Sequence, residues 1–378
     1  MADTPRPLAD CFSELPGPRV RLKCVHEFMD IILIVVVATI GVSDDFAGVV
    51  EFARAREVWF HDRLGLRLDH GIPSHDPLNL VFALINPAQF QRCLIGWAEA
   101  MSDRLKLRQI PIDGKAMRGS KRKTSAGDRT VQIVSAWASA NGVTPARGRT
   151  GEKSNEITAI PELLKLPDVS KALEGIDAAG CQKAIASQIV SGGGDRPSAV
   201  KENQPRLYED IMTLLAVDEA DEAGLSYWMT QEKSRGREEF RSCFVLTNLE
   251  GIRDREFWKG LKSVVCVTSG RRAKGKMESS EVRYYISSRR GSGKMFLGTS
   301  RKHWSIEYER HWILDVAFRE DDRRLREGHA PENMSAVRKM ALAMLKKATT
   351  CIGIKNKRLK AGWDTSFLEH VLHDFLGK

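Results

Sequence analysis

Long apolar runs are missing from this chain. Among its 378 residues the longest, Ile31–Val42, spans twelve positions, well short of the roughly 20 needed to cross a bilayer. Asp30 and Asp44–Asp45 flank it, so it reads as a buried core helix. A secretory leader is missing as well: MADTPRPLADCFSELPG opens polar and proline-bearing, without the basic, apolar and small-residue order of such a segment. These absences predict a cytoplasmic protein with no membrane partner. Paired cysteines are lacking too; the seven, at 11, 24, 93, 181, 243, 266 and 351, include no CxxC, which predicts reduced thiols and no structural zinc. No internal repeat or low-complexity tract is present. Acids are the scarcer charge, 49 against 59 lysines and arginines, giving a formal net charge of +10 and a pI of about 9.3. That balance favours a polyanionic partner, nucleic acid first, although charge does not decide a fold.

With 42% hydrophobic and 29% charged residues, the chain can bury one large core or two to three smaller ones. Over residues 1–106, apolar positions in 25–42, 46–60 and 77–101 recur at three- and four-residue spacing, predicting an N-terminal all-helical domain broken at HGIPSHDP. From 107 the period changes. LRQIPID reads as a strand, and VQIVSAWASANGVTPARG as two strands turned at Ala140-Asn141-Gly142. NEITAIPELLKL predicts a helix capped by Asn155, ALEGID (172–177) a short strand, 180–191 a helix and 195–201 another strand. A strand meander followed by crossover units builds an α/β domain, a mixed sheet with flanking helices, whose first part is expected over 107–218. Within 219–290, REEFRSCFVLT, SVVCVTSG and EVRYYISS alternate and predict a β-rich insertion. Helical spacing returns at 301–315 and 333–348, inside a segment 291–350 that is expected to close the domain, and 351–378 reads as a basic C-terminal tail.

Asp113, in IDGK, and Asp177, in EGID, each end a predicted strand. In such a mixed sheet, strand-end acids fall on one edge, where two carboxylates suit a hard divalent cation shared with a phosphate. A third acid would complete a two-metal site, in which one ion activates an attacking oxygen and the other stabilises the leaving oxygen. Each aspartate also has an ordinary explanation, since Asp-Gly is a common turn dipeptide and Asp177 suits the cap of the next helix. Spacing alone does not identify the third acid.

Several longer motifs resemble a known family. LADCFSELPGPRVRLKC, GIPSHD, IDGKAMRGS, EKSNEITAIPELL, IDAAGCQ, KENQP, KHWSIEYERHWILDVAFREDD, APENMSAVRKMAL and RLKAGWD are similar, nearly end to end, to the DDE transposases of bacterial insertion sequences, in the branch that includes the H-repeat-associated proteins. The resemblance implies a ribonuclease-H-like catalytic domain interrupted by a β-rich insertion before its last acid. It also implies metal-dependent DNA cleavage and strand transfer at the ends of a mobile element, with two Mg²⁺ or Mn²⁺ ions. The implied partners are the terminal inverted repeats, target DNA and a second copy of the chain.

Carried over residue by residue, the resemblance makes Asp113, Asp177 and Glu307 the catalytic and metal-holding acids. Glu307 lies in His303-Trp304-Ser305-Ile306-Glu307, and His303 and Glu307, four apart, share a helix face. Glu239, in RGREE, is the competing third acid, set against an exposed strand acid paired with a nearby arginine. Lys115, Arg118, Gln182, Lys201, Asn203, Gln204, His303 and Trp304 are the candidate DNA contacts, with a solvated basic turn as the plain alternative for Lys115 and Arg118. The chain departs from the family pattern at Arg235, Glu202 and Arg196-Pro197, and glycines 291, 293 and 298 stand where the family has a more continuous helix. Those glycines are expected to loosen the approach to Glu307.

Overall fold

The computed structural model describes residues 12–13, 15–19, 24–90, 92–94, 110–124, 127–138, 143–149, 161, 173–176, 181–193, 197–218, 225–234, 236–273, 276–306 and 312–376, with 110–149, 173–176 and 302–306 among those described by backbone alone. Its first helices are α1 (Phe28–Ile40), α2 (Phe46–Arg54), α3 (Glu57–Leu64) and α4 (His75–Leu84). The sequence of α1, FMDIILIVVVATI, is apolar on every side, and residues 31–40 are all buried. A helix of that kind must sit at the centre of a core. Asp45 caps α2 by accepting from the Gly48 amide at 2.8 Å, the expected role of an aspartate before a helix. Among the described residues, no helix is long and apolar enough to cross a membrane.

What encloses α1 comes from the other end of the chain. After α8 (Trp312–Phe318) and a 3-10 turn at Glu320–Asp322, α9 (Ala330–Lys347), α10 (Ile354–Trp363) and α11 (Thr365–Leu376) share one hydrophobic core with α1 to α4. Asn333 of α9 is fully buried and donates through Nδ2 to the carbonyls of Phe82 and Ile85, 2.8 and 3.0 Å away, satisfying the end of α4. Within 351–378, expected as a basic tail, Ile354–Trp363 and Thr365–Leu376 are thus packed helices. Lys357 donates to the Leu345 carbonyl at 3.1 Å and to that of Ala348 at 2.6 Å, at the end of α9, and buried Arg358 joins α1, α8 and α10. The basic stretch conceals an internal face because lysine and arginine stems are apolar and their heads here meet helix-end carbonyls.

The sheet has nine strands in the order β3-β2-β1-β4-β5-β9-β8-β7-β6. Strands β1 (Ile110–Thr124), β2 (Gly127–Ala138) and β3 (Val143–Arg149) form the expected meander. Strand β4 (Leu173–Ile176) then pairs parallel to β1, and β5 (Pro197–Val200) parallel to β4, with α5 (Lys183–Ser191) between them in the chain. Helix α6 (Pro205–Asp218) leads to β6 (Leu225–Ser234), β7 (Arg237–Leu246), β8 (Ser263–Ala273) and β9 (Lys276–Ser287), which pair antiparallel and join the rest through β5–β9. The β-rich stretch therefore extends the same sheet. The predicted helix at 155–166 lies outside the described residues save Pro161, whose carbonyl accepts from Gln188 of α5 at 2.9 Å.

Helix α7 (Gly293–Ile306) packs on one face of β6, β7 and β8 and also against β4 and β1. The glycines expected to loosen this approach behave differently. A Cβ at Gly293 would stand 2.9 Å from the Cys243 carbonyl oxygen and from the Trp228 amide nitrogen, so the missing side chain lets the helix start close against the sheet. A Cβ at Gly298, inside the helix, would meet nothing within 4 Å. Accordingly, Gly293→Ala should lower stability by about 1–3 kcal/mol through overpacking, and Gly298→Ala should raise it by about 0.5–1 kcal/mol. Urea unfolding of the two variants beside the parent checks this; equal effects of either sign would refute it.

Candidate active site

The strand lengths create the site's geometry. Strands β4 and β5 have four residues each, whereas both flanks run on past them. Ile112 of β1 is in register with Ile176, the last residue of β4, and Ile176 with Ser198 of β5. From Asp113, β1 continues to Thr124, about 36 Å at the usual strand rise. On the other side Val200 pairs with Tyr284, and β9 extends from there back to Lys276, about 26 Å further in the same direction. The C-terminal ends of β4 and β5 thus floor a notch between two projecting ribbons, the edge at which open α/β sheets hold their ligands.

Asp113 stands at one corner of that floor, in β1 and opposite Ser135 of β2. Lys115, opposite Ile133, and Arg118 continue up the β1 wall. They are in a strand, not in the turn that the IDGK glycine and the following bases suggested, because β1 runs through them to Thr124 with an irregularity between Met117 and Arg122. At the opposite corner Lys201 and Asn203 follow β5; Lys201 is exposed. Gln182 forms the start of α5 and accepts at Oε1 from Gln204 at 3.2 Å, while the same Gln204 amide donates to the Cys181 carbonyl at 2.9 Å. This pair of glutamines ties the turn after β5 to the entry of α5, and Cys181 beneath it is buried. The structure therefore gathers Asp113, Lys115, Arg118, Gln182, Lys201, Asn203 and Gln204 around one notch.

Asp177 and Glu307 lie outside the described residues; in sequence they directly follow Ile176, the end of β4, and Ile306, the end of α7. His303 and Trp304 belong to α7 by backbone. Glu239 has a distinct setting. It lies on β7, opposite Glu232 and Arg271, and its carboxylate pairs with Arg241 and, at 3.2 Å, with Arg271. Burial opposes its ionisation, but the two arginines outweigh it and hold the carboxyl below the ordinary glutamate range. Sequence reasoning did not single out Ser135, in register with Asp113, or Ser198, in register with Ile176 one level below; only strand pairing reveals them.

These features sit in a chain with clear relatives. A family model described as DDE_Tnp_1-associated matches residues 9–98. The Putative transposase YncI of Escherichia coli O157:H7 is 38% identical over 374 residues, covering 97% of this chain and 94% of that protein. The H repeat-associated putative transposase YhhI of Escherichia coli (strain K12) is 35% identical over 370 residues, 97% of each chain. A solved piggyBac transposase synaptic complex with hairpin DNA aligns over 96% of this chain and 77% of that one at 9% identity and a TM-score of 0.41, too slight a likeness to carry an argument. The protein is a transposase by family. More closely, it belongs to the DDE transposases of bacterial insertion sequences, in the branch that includes the H repeat-associated proteins.

Glu239→Gln should cost less than about 1 kcal/mol, the range of partly exposed ion pairs. The parent should lose this increment as pH falls below the ordinary glutamate value of 4.5 and through the lower folded value, because a depressed carboxyl stabilises the fold only while ionised. Thermal melts between neutral and acid pH should show the parent and Glu239→Gln converging at low pH.

Proposed function

We propose that the chain cleaves DNA and transfers strands at the ends of an insertion sequence, with Asp113, Asp177 and Glu307 as its catalytic acids. The observation that carries this reading is the Ile112–Ile176 register pair. Asp113 and Asp177 each follow one member of that pair in sequence, and a chain advances only about 3.8 Å per residue, which supports the assignment of both acids to one site. Helix α7 supports the third assignment, since it packs against β4 and β1 and Glu307 is the residue after its end. The order β3-β2-β1-β4-β5, with β2 antiparallel and β4 and β5 parallel to β1, supports a ribonuclease-H-like reading of 107–218 and 291–350, divided by the insertion 219–290.

Three carboxylates form an all-oxygen donor set, which fits two Mg²⁺ or Mn²⁺ ions better than a soft metal. When bound, such ions lower the barrier to in-line attack by stabilising the entering and leaving oxygens of the phosphodiester. The chain's own residues do the rest. The acids hold the charge at the notch floor, Lys115 and Arg118 along β1 and Lys201 beyond β5 grip the phosphates, and arginine forks fix their orientation. The N-terminal helices, residues 1–106, bind the inverted repeats, two copies of the chain bring the two ends together, and the protein works in the cytoplasm.

The test is a cutting assay on DNA that carries the gene's own flanking sequences, in Mg²⁺ and in Mn²⁺. Asp113→Asn, Asp177→Asn and Glu307→Gln should each reduce cutting on the order of 10²-fold or more while gel-shift binding persists, and Glu239→Gln should cut like the parent. Binding should weaken steeply with salt, by a log–log slope of about 0.9 per phosphate neutralised. A parent that shifts DNA and never cuts it in either metal would mark a binding protein instead.

A further inference from the structure

The insertion sheet has two faces with different fates. One carries Ser226, Trp228, Cys243, Val245, Val265 and Tyr285 and is covered by α7. Among the described residues, the other is covered only near its base, where Tyr208 of α6 meets Tyr284 edge-on at 5.4 Å. Beyond that contact it is open. Tyr227 is 48% exposed, Met229 55% and Val282 46%. The Tyr227 ring leans on Phe244 at 4.6 Å, and in the second row above, Phe240 lies over Gly270, where a Cβ would stand 2.3 Å from the ring. Arg272 places its guanidinium 6.0 Å from the Phe240 centroid. The acid on this face, Glu238, is already matched by Lys233 at 3.5 Å.

An exposed patch of aromatic and apolar side chains on a folded domain marks a contact surface. Its surroundings indicate the partner. The stretches that link β6 to β7 and β8 to β9 read KSRGR and RRAKGK in sequence, Arg237 pairs with Ala273, and neither stretch contains an acid. Aromatic rings on an open sheet beside a concentrated positive charge form the combination that holds unpaired nucleic acid, rings stacking on bases and cations following the phosphates. Of the seven cations in these two stretches, Lys233 and Arg271 pair with Glu238 and Glu239, and a protein partner would meet the remaining excess of positive charge.

We propose that the open face of β6–β9 binds single-stranded DNA, with Tyr227, Phe244 and Phe240 as the stacking surface and Lys233 and Arg272 at its basic rim. The ribbon that bears it projects along one wall of the notch, past the level of Asp113, so a strand unpaired at the cut can run from the acids onto the rings. The choice of DNA as the nucleic acid rests on the transposase reading above. In the residues this face shows only as the alternation of LSYWMTQEKS, and alternation does not tell which side another helix covers.

The experiment measures fluorescence anisotropy of the full chain with a labelled single-stranded oligonucleotide, the matching duplex and a single-stranded RNA of the same sequence, all in EDTA so that nothing is cut. Tyr227→Ala should weaken single-stranded DNA binding about ten-fold and change duplex binding less than about two-fold, while Tyr227→Phe keeps the ring and the affinity. Met229→Glu, at an exposed side chain, should weaken the same binding by bringing a carboxylate among the phosphates, so the outcome does not depend on one variant. Equal losses on single strand and duplex, unchanged single-strand affinity in both variants, tighter binding of RNA than DNA, or conversion of a dimer to a monomer by Tyr227→Ala in sedimentation would each overturn the proposal. Asp113→Asn separates the two readings: it should abolish cutting and leave single-strand binding intact. Cutting that survives Asp113→Asn would sink the catalytic assignment while leaving the stacking face standing.

Discussion

A buried set of charges holds the C-terminal helices to α1 and α8, and the helical core built around it backs the first strands of the sheet. Arg358 of α10 donates to the Thr39 carbonyl at 2.8 Å, to Asp44 at 2.9 Å and to the Ala317 carbonyl, and lies 4.1 Å above the Phe318 ring. Arg323 reaches the same Asp44 at 2.8 Å, and Arg338 of α9 faces Glu320 at 3.6 Å with both side chains 1% exposed. Removing one partner of such a set leaves a charge in a dry interior, at a cost of about 3–5 kcal/mol. Arginine suits this work because its planar fork serves several acceptors at once and its stem and face are apolar. The ends of α1 and α8, each with unpaired carbonyls, are thereby closed by a residue more than three hundred positions away from the first.

That lock reaches the sheet. The 3-10 turn at Glu320–Asp322 packs against β1, and α9 packs against β2 and β3, so the helical core buttresses the ribbon that carries Asp113, Lys115 and Arg118. On the far side α7 clamps β6 to β8 and crosses to β4 and β1, its Arg301 pairing with Glu232 at 2.7 Å. The notch between the ribbons is therefore bounded by two walls that are each supported from behind, while its floor strands are short. The proposed role, admission of a long, stiff polyanion, calls for firm walls and an open top, and a sheet whose middle strands stop early supplies both.

Much of this was legible in the residues. The all-apolar α1, the meander after 107 and the alternation of the insertion follow from periodicity and from the chemistry of turns, which act over a few neighbouring residues, whereas Asp113, expected to end its strand, lies inside β1, which continues to Thr124. The motifs IDGKAMRGS and HWSIE went further and indicated the family that the relatives bear out. Less was legible where a residue's role is decided by what packs on it. Lys357 and Arg358 look like a solvated tail in sequence and are buried. Gly293 looks like a weak helix start and is the point of closest approach to β6 and β7.

The sequence by itself determined the helical character of the N-terminal segment, the strand character of the meander and the insertion, and which residue types can hold a metal or a phosphate, because those depend on local backbone preference and side-chain chemistry. The tertiary structure alone decided that the insertion joins the main sheet through β5 and β9, that β1 runs on past Asp113 to wall a notch, and that the two ends of the chain share one core. The physical reason is the same in each case. Strand order and core partners are set by which apolar faces and unpaired backbone groups find each other across long stretches of chain, and no window of neighbouring residues contains both halves of such a pair.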